Sequence, residues 1–250
     1  MNIIAIIQAR TGSERLKGKV LKKLGNHNLL YYVITRCKKS NLLQDVIVAT
    51  SSKKEDDAIE DFALSMGVNV FRGSEKDVLQ RYVDAAKQYH ADPIVRITAD
   101  CPLIDPKIID DLINLYIKDP SDYTFIEGYP IGSGCAEIMS YSSLVHALTD
   151  TTPNDTYYRE HVMTYLTDHP EIFKVNIDKA PEIYSKKKYR LCVDEQADLE
   201  LVRIICDHFL PDAYFSLSDI VSFLEAHSGL ENINKHVKQK YYEPVNKVKY

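Results

Sequence analysis

The chain has 250 residues, 45% hydrophobic and 27% charged, a composition that fits a soluble globular protein and excludes a disordered or fibrous one. A formal net charge of -5 argues against general binding to a nucleic-acid backbone, although basic residues gather in the first loop and near the C-terminus. The five cysteines are scattered without a C-x-x-C pattern, and no run is long enough to cross a bilayer; the expectation is a reduced, cytoplasmic protein without a disulfide framework or a zinc ribbon.

The apolar run 3–7 reads as a buried strand, and it leads into a basic loop carrying Arg10, Gly12, Ser13, Arg15, Lys17, Gly18 and Lys19. Open α/β sheets bind ligands at the carboxyl ends of their strands, which is where this loop falls. The two glycines let the backbone approach an anion, and the four cations suffice for a polyphosphate. The loop is not a Walker A motif, because five residues separate Gly12 from Gly18 and Val20 stands at the hydroxyl position. A G-x-G-x-x-G fingerprint is also missing from it.

Leu30, Val33, Ile34 and Cys37 then mark one face of a helix starting near Asn28, followed by a strand at 46–50. Ile59, Phe62, Ala63 and Met66 repeat the helical spacing before Gly67, and 68–71 is a third strand. This alternation predicts right-handed βαβ units and a mainly parallel sheet covered on both faces. The next loop, 72–78, contains Arg72, Ser74 and Asp77; it can face the same crevice, while Ser74 with Asp77 also makes an ordinary helix-capping pattern.

The strand 94–98 runs into Asp100, whose place at a central strand tip suits a hard oxygen ligand for magnesium. Asp105 reads as an N-cap because Pro106 follows at the first helical position. Cys101 has no paired His that would make it a nucleophile. The second half predicts strands at 122–126, 136–140 and 189–193, helices at 142–148 and 156–166, and a final helix at 216–228 capped by Ser216 with Asp219. Asp194 ends the strand at 189–193, and Asp198 falls in the first turn of the following helix, where the dipole favours it. The lysine-bearing tail from Gly229, with Lys235, Lys238, Lys240, Lys247 and Lys249, reads as solvated. One domain is expected over 1–250, with an excursion at about 127–170 for dimerisation or for a second substrate.

The pattern A-R-x-G-S-x-R-L-x-x-K at 9–19 resembles the cytidylyltransferases that make CMP-activated acidic sugars, most closely a branch typified by the spore-coat polysaccharide protein SpsF. V-D-x-x-x-D-L at 193–199 is similar to the family's second metal motif, and 159–162 resembles the R-E-H-V segment of that branch. Pro130, Gly132 and Glu137 resemble its acceptor-side segment, although Gly134 or Cys135 stands where many relatives have aspartate. The resemblance implies a three-layer αβα, Rossmann-like nucleotidyltransferase fold acting as a homodimer. It implies phosphate roles for Arg10, Arg15 and Lys19, nucleotide contacts from Ala9, Gly12 and Ser13, and base or ribose contacts from Arg72, Ser74 and Asp77. Mg2+ would lie on Asp100 and Asp194, which with Arg10 and Lys19 form the catalytic set; Arg159, Glu160 and His161 would face the acceptor or a dimer interface. The implied partners are CTP and an acidic or phosphorylated sugar, without nucleic acid or membrane insertion, and the preference for cytosine comes from the resemblance alone. Two alternatives remain: a nucleotide-sugar-dependent glycosyltransferase, which would need less positive charge, and a nucleotide binder without turnover.

Overall fold

A computed structural model describes residues 1–239. In chain order its elements are β1 (Ile4–Gln8), β2 (Lys23–Leu24), β3 (His27–Asn28), α1 (Leu29–Cys37), β4 (Asp45–Ser51), α2 (Asp57–Ser65), β5 (Asn69–Gly73) and α3 (Val78–Tyr89). There follow β6 (Ile94–Thr98), α4 (Pro106–Lys118), β7 (Tyr123–Glu127), β8 (Glu137–Met139), α5 (Tyr141–Asp150), α6 (Thr156–Glu160), α7 (Thr164–Asp168), β9 (Val175–Lys179), α8 (Glu182–Ser185), α9 (Gln196–His208) and α10 (Leu217–Ala226).

Seven strands form one sheet in the order β5-β4-β1-β6-β8-β7-β9. All run parallel except β8, which is antiparallel to both β6 and β7. Alternate residues of β1 and β6 feed two cores. Ala5, Ile7, Val95 and Ile97 pack with α1, α2 and α4, whereas Ile4, Ile6 and Ile94 pack with α3 and α5. Burial on both faces explains why these strands read as nearly continuous apolar runs. A third core joins α9 and α10 to Leu16, Leu29 and Tyr32, so the basic loop is anchored from below. The chain turns from β1 toward β4 on one side and toward β6 on the other, which makes β1/β6 the topological switch point.

The caps at Asp105 and Ser216 are as the sequence predicts: Asp105 accepts from the Lys107 N–H ahead of Pro106, and Ser216 forms a reciprocal box with Asp219. Four expectations need correction. Residues 189–193 are not a strand of the sheet; they form an extended segment with one isolated bridge, Ile131 to Arg190, and Val193 N–H donates instead to the Asp100 carbonyl at 2.8 Å. The seventh strand is β9, an edge strand missing from the sequence expectations although Phe173, Val175 and Ile177 alternate with Lys174, Asn176 and Asp178 at the period of a strand. The helix expected over 156–166 is broken at His161 into α6 and α7, with the Thr164 N–H and hydroxyl both turned onto the His161 carbonyl. Part of the solvated tail is packed: Asn234 is buried and donates to the Arg190 carbonyl and to Asp198, both at 2.9 Å. Lys240, Lys247 and Lys249 lie outside the described residues. No helix among the described residues is long and apolar enough to cross a membrane.

Gly132 fixes the approach of the 189–193 segment. Its φ is +93°, and a Cβ there would meet the Cys192 backbone nitrogen at 2.4 Å and the Leu191 carbonyl carbon at 2.7 Å. Backbone atoms cannot give way as side chains do, so Gly132→Ala is expected to cost roughly 2–4 kcal/mol of stability. Urea unfolding of the variant checks this, and a midpoint equal to that of the unaltered protein would contradict the packing described.

Candidate active site

The loop leaving β1 is shaped by its own backbone and by one buried carboxylate. The Ser13 and Gly18 N–H groups both donate to the Thr11 carbonyl, at 2.9 and 3.0 Å. Gly18 has φ +64°, a left-handed conformation that favours glycine, and it opens the short 3-10 turn Lys19–Leu21. Asp56, only 2% exposed, accepts both the Thr11 N–H at 2.8 Å and the Thr11 hydroxyl at 2.7 Å, together with the Ser51 hydroxyl. Burial opposes the Asp56 charge, but these hydrogen bonds keep its carboxyl below the ordinary range. On the outer side of the loop, Thr11, Gly12, Lys17 and Gly18 line a wider cleft of about 480 Å³ with Lys53 and Glu75.

The turn places Lys19 between two carboxylates. Its Nζ lies 2.9 Å from Asp100 Oδ2 at the end of β6 and 2.9 Å from Asp194 Oδ1 at the end of the 189–193 segment. Arg15 Nη2 reaches the same Asp194 oxygen at 3.1 Å, and Arg190 Nη2 reaches Asp194 Oδ2 at 2.6 Å. Behind them the Arg190 Nε donates to Asp198 Oδ1 at 3.0 Å, while Asp198 Oδ2 accepts the Asp194 and Glu195 N–H groups, each at 3.0 Å. Asp198 therefore caps α9 and orients Arg190 as well. Burial alone would raise the Asp100 carboxyl, yet the Lys19 charge with hydrogen bonds from Thr98 and Lys19 holds it at about 2. Burial likewise works against the Lys19 charge, but Asp100 and Asp194 outweigh it and raise its pKa above the ordinary lysine value.

Of the residues singled out from sequence, Arg15, Lys19, Asp100 and Asp194 thus meet at one point beside the switch crevice. Ala9 is buried at the root of the loop, Gly12 and Ser13 lie along it, and Arg10 turns to the other side, pairing with Glu160 at 3.3 Å. The 72–78 segment is engaged elsewhere. Arg72 pairs with Asp57 at 2.6 Å and Glu60 at 2.7 Å, Ser74 accepts the Asp77 N–H, and Asp77 caps α3 while accepting from Arg159 at 2.9 Å. Glu137, on the acceptor-side segment, is buried under Arg96 and accepts from the Tyr123 hydroxyl at 3.0 Å. Sequence reading gave no role to Arg190 or Arg96. Each is a charged residue inside an otherwise apolar extended run, and that was the available signal.

The cluster has the donor chemistry of a magnesium site that is completed by its substrate. Asp100 and Asp194 present hard carboxylate oxygens that already converge on one cation, the Lys19 ammonium. Among the described residues no group of three or more His, Cys, Asp and Glu forms a full metal cage. Magnesium commonly takes one or two carboxylates and draws its other ligands from phosphates and water. The neighbouring Cys192 does not compete, because burial pushes its thiol well above the ordinary value.

The sequence profile of the family described as Cytidylyltransferase matches residues 4–238. The chain belongs to the cytidylyltransferase family. It is 34% identical to the spore coat polysaccharide biosynthesis protein SpsF of Bacillus subtilis, over 89% of this chain and 94% of that protein. It is 30% identical to a 3-deoxy-manno-octulosonate cytidylyltransferase of Chloroherpeton thalassium, over 70% of this chain and 71% of the other. The solved structure of a cytidylyltransferase from Leptospira borgpetersenii superposes with a TM-score of 0.86 at 33% identity, covering 97% of this chain and all of that one. The three-layer αβα arrangement is therefore that of the nucleotidyltransferases. In this cytidylyltransferase family member the matched span includes the whole Lys19–Asp100–Asp194 cluster.

Proposed function

We propose that the protein transfers CMP from CTP to the hydroxyl of an acidic sugar and releases pyrophosphate. The observation that carries this reading is Lys19 bridging Asp100 and Asp194 at the switch point, with Arg15 of the same loop reaching Asp194 beside it. In the reaction the acceptor hydroxyl oxygen attacks the α-phosphorus in line and gives up its proton to solvent, the bond from that phosphorus to the bridging oxygen breaks, and pyrophosphate leaves with the electron pair. Little covalent work falls to the protein, so its residues act by alignment and by neutralising charge.

Arg10, Arg15 and Lys19 exchange carboxylate partners for the oxygens of the triphosphate, so the site enters the reaction with its cations already oriented. The backbone of Gly12 and Ser13 faces the phosphates, and Ala9 marks the wall beside the nucleoside. Mg2+ on Asp100 and Asp194, when bound, supplies Lewis-acid polarisation of the α-phosphate. Arg190 and Asp198 hold Asp194 in orientation. The base preference follows family membership and the acidity of the acceptor follows the relatives.

The test is product analysis by mass spectrometry after incubation with magnesium, each of the four ribonucleoside triphosphates and a panel of acidic sugars. A CMP-linked sugar formed from CTP alone, with equimolar pyrophosphate, is the expected result; a sugar linked to a different nucleoside monophosphate, or turnover of CTP without pyrophosphate release, would overturn the proposal. A second expectation concerns the loop. Asp56→Ala strands the Thr11 N–H and hydroxyl, a loss of about 1–3 kcal/mol in loop order, and steady-state kinetics should show the KM for CTP rising about tenfold while kcat changes less.

A further inference from the structure

Away from the carboxylate cluster, β9 closes the strand order at one end of the sheet, with β7 beside it. The two run parallel, Val175 next to Tyr123 and Ile177 next to Phe125. The Lys174 carbonyl accepts the Tyr123 N–H at 3.3 Å, and the Ala180 N–H donates to the Glu127 carbonyl at 2.8 Å. Even-numbered residues of β9 therefore turn their backbone groups toward β7, and Val175 and Ile177 turn theirs outward. Among the described residues these outward N–H and C=O groups meet no hydrogen-bond partner. The strand has neither a proline nor a bulge, two of the devices by which a sheet edge refuses a further strand.

The side chains of this edge match a copy of themselves. Val175 packs on the core shared with α3 and α5, but Ile177 on the same face is 51% exposed. Lys174 and Asp178 share the opposite face; Lys174 Nζ donates to Asp119 and to the Pro120 carbonyl, and Asp178 is exposed, accepting the Lys179 N–H at 2.8 Å. In an antiparallel ladder, outward residues must stand opposite outward residues. A two-fold axis at Asn176 satisfies this: Val175 meets Ile177 of the partner subunit, Lys174 meets Asp178 of the partner subunit, and the axis repeats both pairs. An axis at Ile177 sets Val175 against Lys179 of the partner subunit and makes no charge pair, while an axis at Asp178 opposes that carboxylate to its own copy. Charge and apolar matching both select Asn176. The Lys174 ammonium has three donors, so it can hold Asp119 and the new carboxylate together.

We propose that the β9 edge docks a second copy of this chain, antiparallel about Asn176, so that two sheets join into one. The partner covers Ile177 and takes up the outward backbone groups of Val175 and Ile177. This surface lies outside residues 127–170, where the sequence reading places its dimerisation excursion, and it includes no residue of the Lys19 cluster, so it stands independently of the proposed reaction. A single strand edge is at the small end of specific interfaces, and the expected dissociation constant is about 1–100 µM.

Sedimentation equilibrium of the full chain over about 1–300 µM tests this, with a monomer–dimer equilibrium expected for the unaltered protein. Asp178→Lys sets two ammonium groups opposite each other in each cross-strand pair, and Lys174→Glu sets two carboxylates there; each variant alone should dimerise at least about tenfold more weakly. An equimolar mixture of the two puts an opposite charge back in both pairs of the mixed dimer, and should associate within about threefold of the unaltered protein. Ile177→Pro removes an outward N–H that the fold does not use, so it should also weaken the dimer about tenfold or more while Tm falls by only a few degrees. Thermal unfolding checks that each variant is folded; should Lys174→Glu lose the fold with its Asp119 contact, Asp178→Lys and Ile177→Pro still carry the test. The inference is overturned if the unaltered protein is a monomer throughout, which would leave the edge to a different partner. It is equally overturned if the folded variants dimerise as tightly as the unaltered protein, or if the mixture of folded charge variants associates no better than its components.

Discussion

Replacing Asp100 by Asn is expected to lower kcat for pyrophosphate release by about a thousandfold, the several kcal/mol that a carboxylate contributes where charge builds on a transferring phosphoryl group. The fold should tolerate the change. Lys19 keeps Asp194 at 2.9 Å, and the amide occupies the same half-buried place beneath the loop. The KM for CTP should move much less than kcat, because Arg10, Arg15 and Lys19 all remain. Steady-state assay beside thermal unfolding separates these effects: a low kcat with Tm within a few degrees of the unaltered protein supports the assignment. A variant retaining more than about a tenth of the activity would remove Asp100 from the chemistry.

Lys19→Met should act on both catalysis and stability. Without the ammonium, one cation that faces the leaving pyrophosphate is gone, and kcat/KM for CTP should fall about 10²–10³-fold. The stability effect can be read through pH in metal-free buffer. In the unaltered protein the Asp100 carboxyl is held at about 2 against an ordinary value of 3.8. Its ionised form is therefore favoured by folding, a contribution on the order of 2 kcal/mol that is present above about pH 4 and is lost as pH falls toward 2. In the Met variant burial still disfavours the charge while the Lys19 charge that opposed it is missing, so the carboxyl should rise above its unfolded value. The folded state then binds more protons than the unfolded one, and this site's contribution to stability should decrease with rising pH instead of increasing. Urea unfolding between pH 3 and pH 7 in EDTA measures the difference between the two proteins. Parallel pH profiles would mean that Lys19 does not control Asp100.

The elements that carry the site were legible because local chemistry and global position agree there. The β1 loop pairs an apolar strand with glycines and cations, and the carboxylates at Asp100 and Asp194 follow apolar extended runs. Asp105, Ser216 and Asp219 cap helices as their spacing indicates. What the sequence hid has physical reasons. The 189–193 segment has the composition of a sheet strand, but its outer hydrogen bonds go to the Ile131 and Asp100 backbone, so it reaches the site without joining the sheet. The break at His161 has no proline or glycine to announce it. Buried arginines show most clearly where sequence reading stops. Arg36 and Arg81 both lie on the apolar stripes of their helices, at 0% and 2% exposure. Arg36 donates to the Ile104, Phe215 and Ala213 carbonyls and ties α1 to the loop before α10, a structural role. The Arg81 Nε meets no acceptor among the described residues, and its side chain lines a cleft. Periodicity treats the two alike, and only the three-dimensional hydrogen-bond accounting separates them.

The most direct measurement of the central claim is Mn2+ binding followed by electron paramagnetic resonance, with Mn2+ in place of Mg2+. The unaltered protein is expected to remove about one equivalent of free Mn2+ signal per chain when CTP is added and much less without it, because the two carboxylates need phosphate oxygens to complete the site. Asp100→Asn and Asp194→Asn should each abolish that CTP-dependent loss. If both variants still take up Mn2+ with CTP as tightly as the unaltered protein, the cluster around Lys19 is not where the metal and the triphosphate meet.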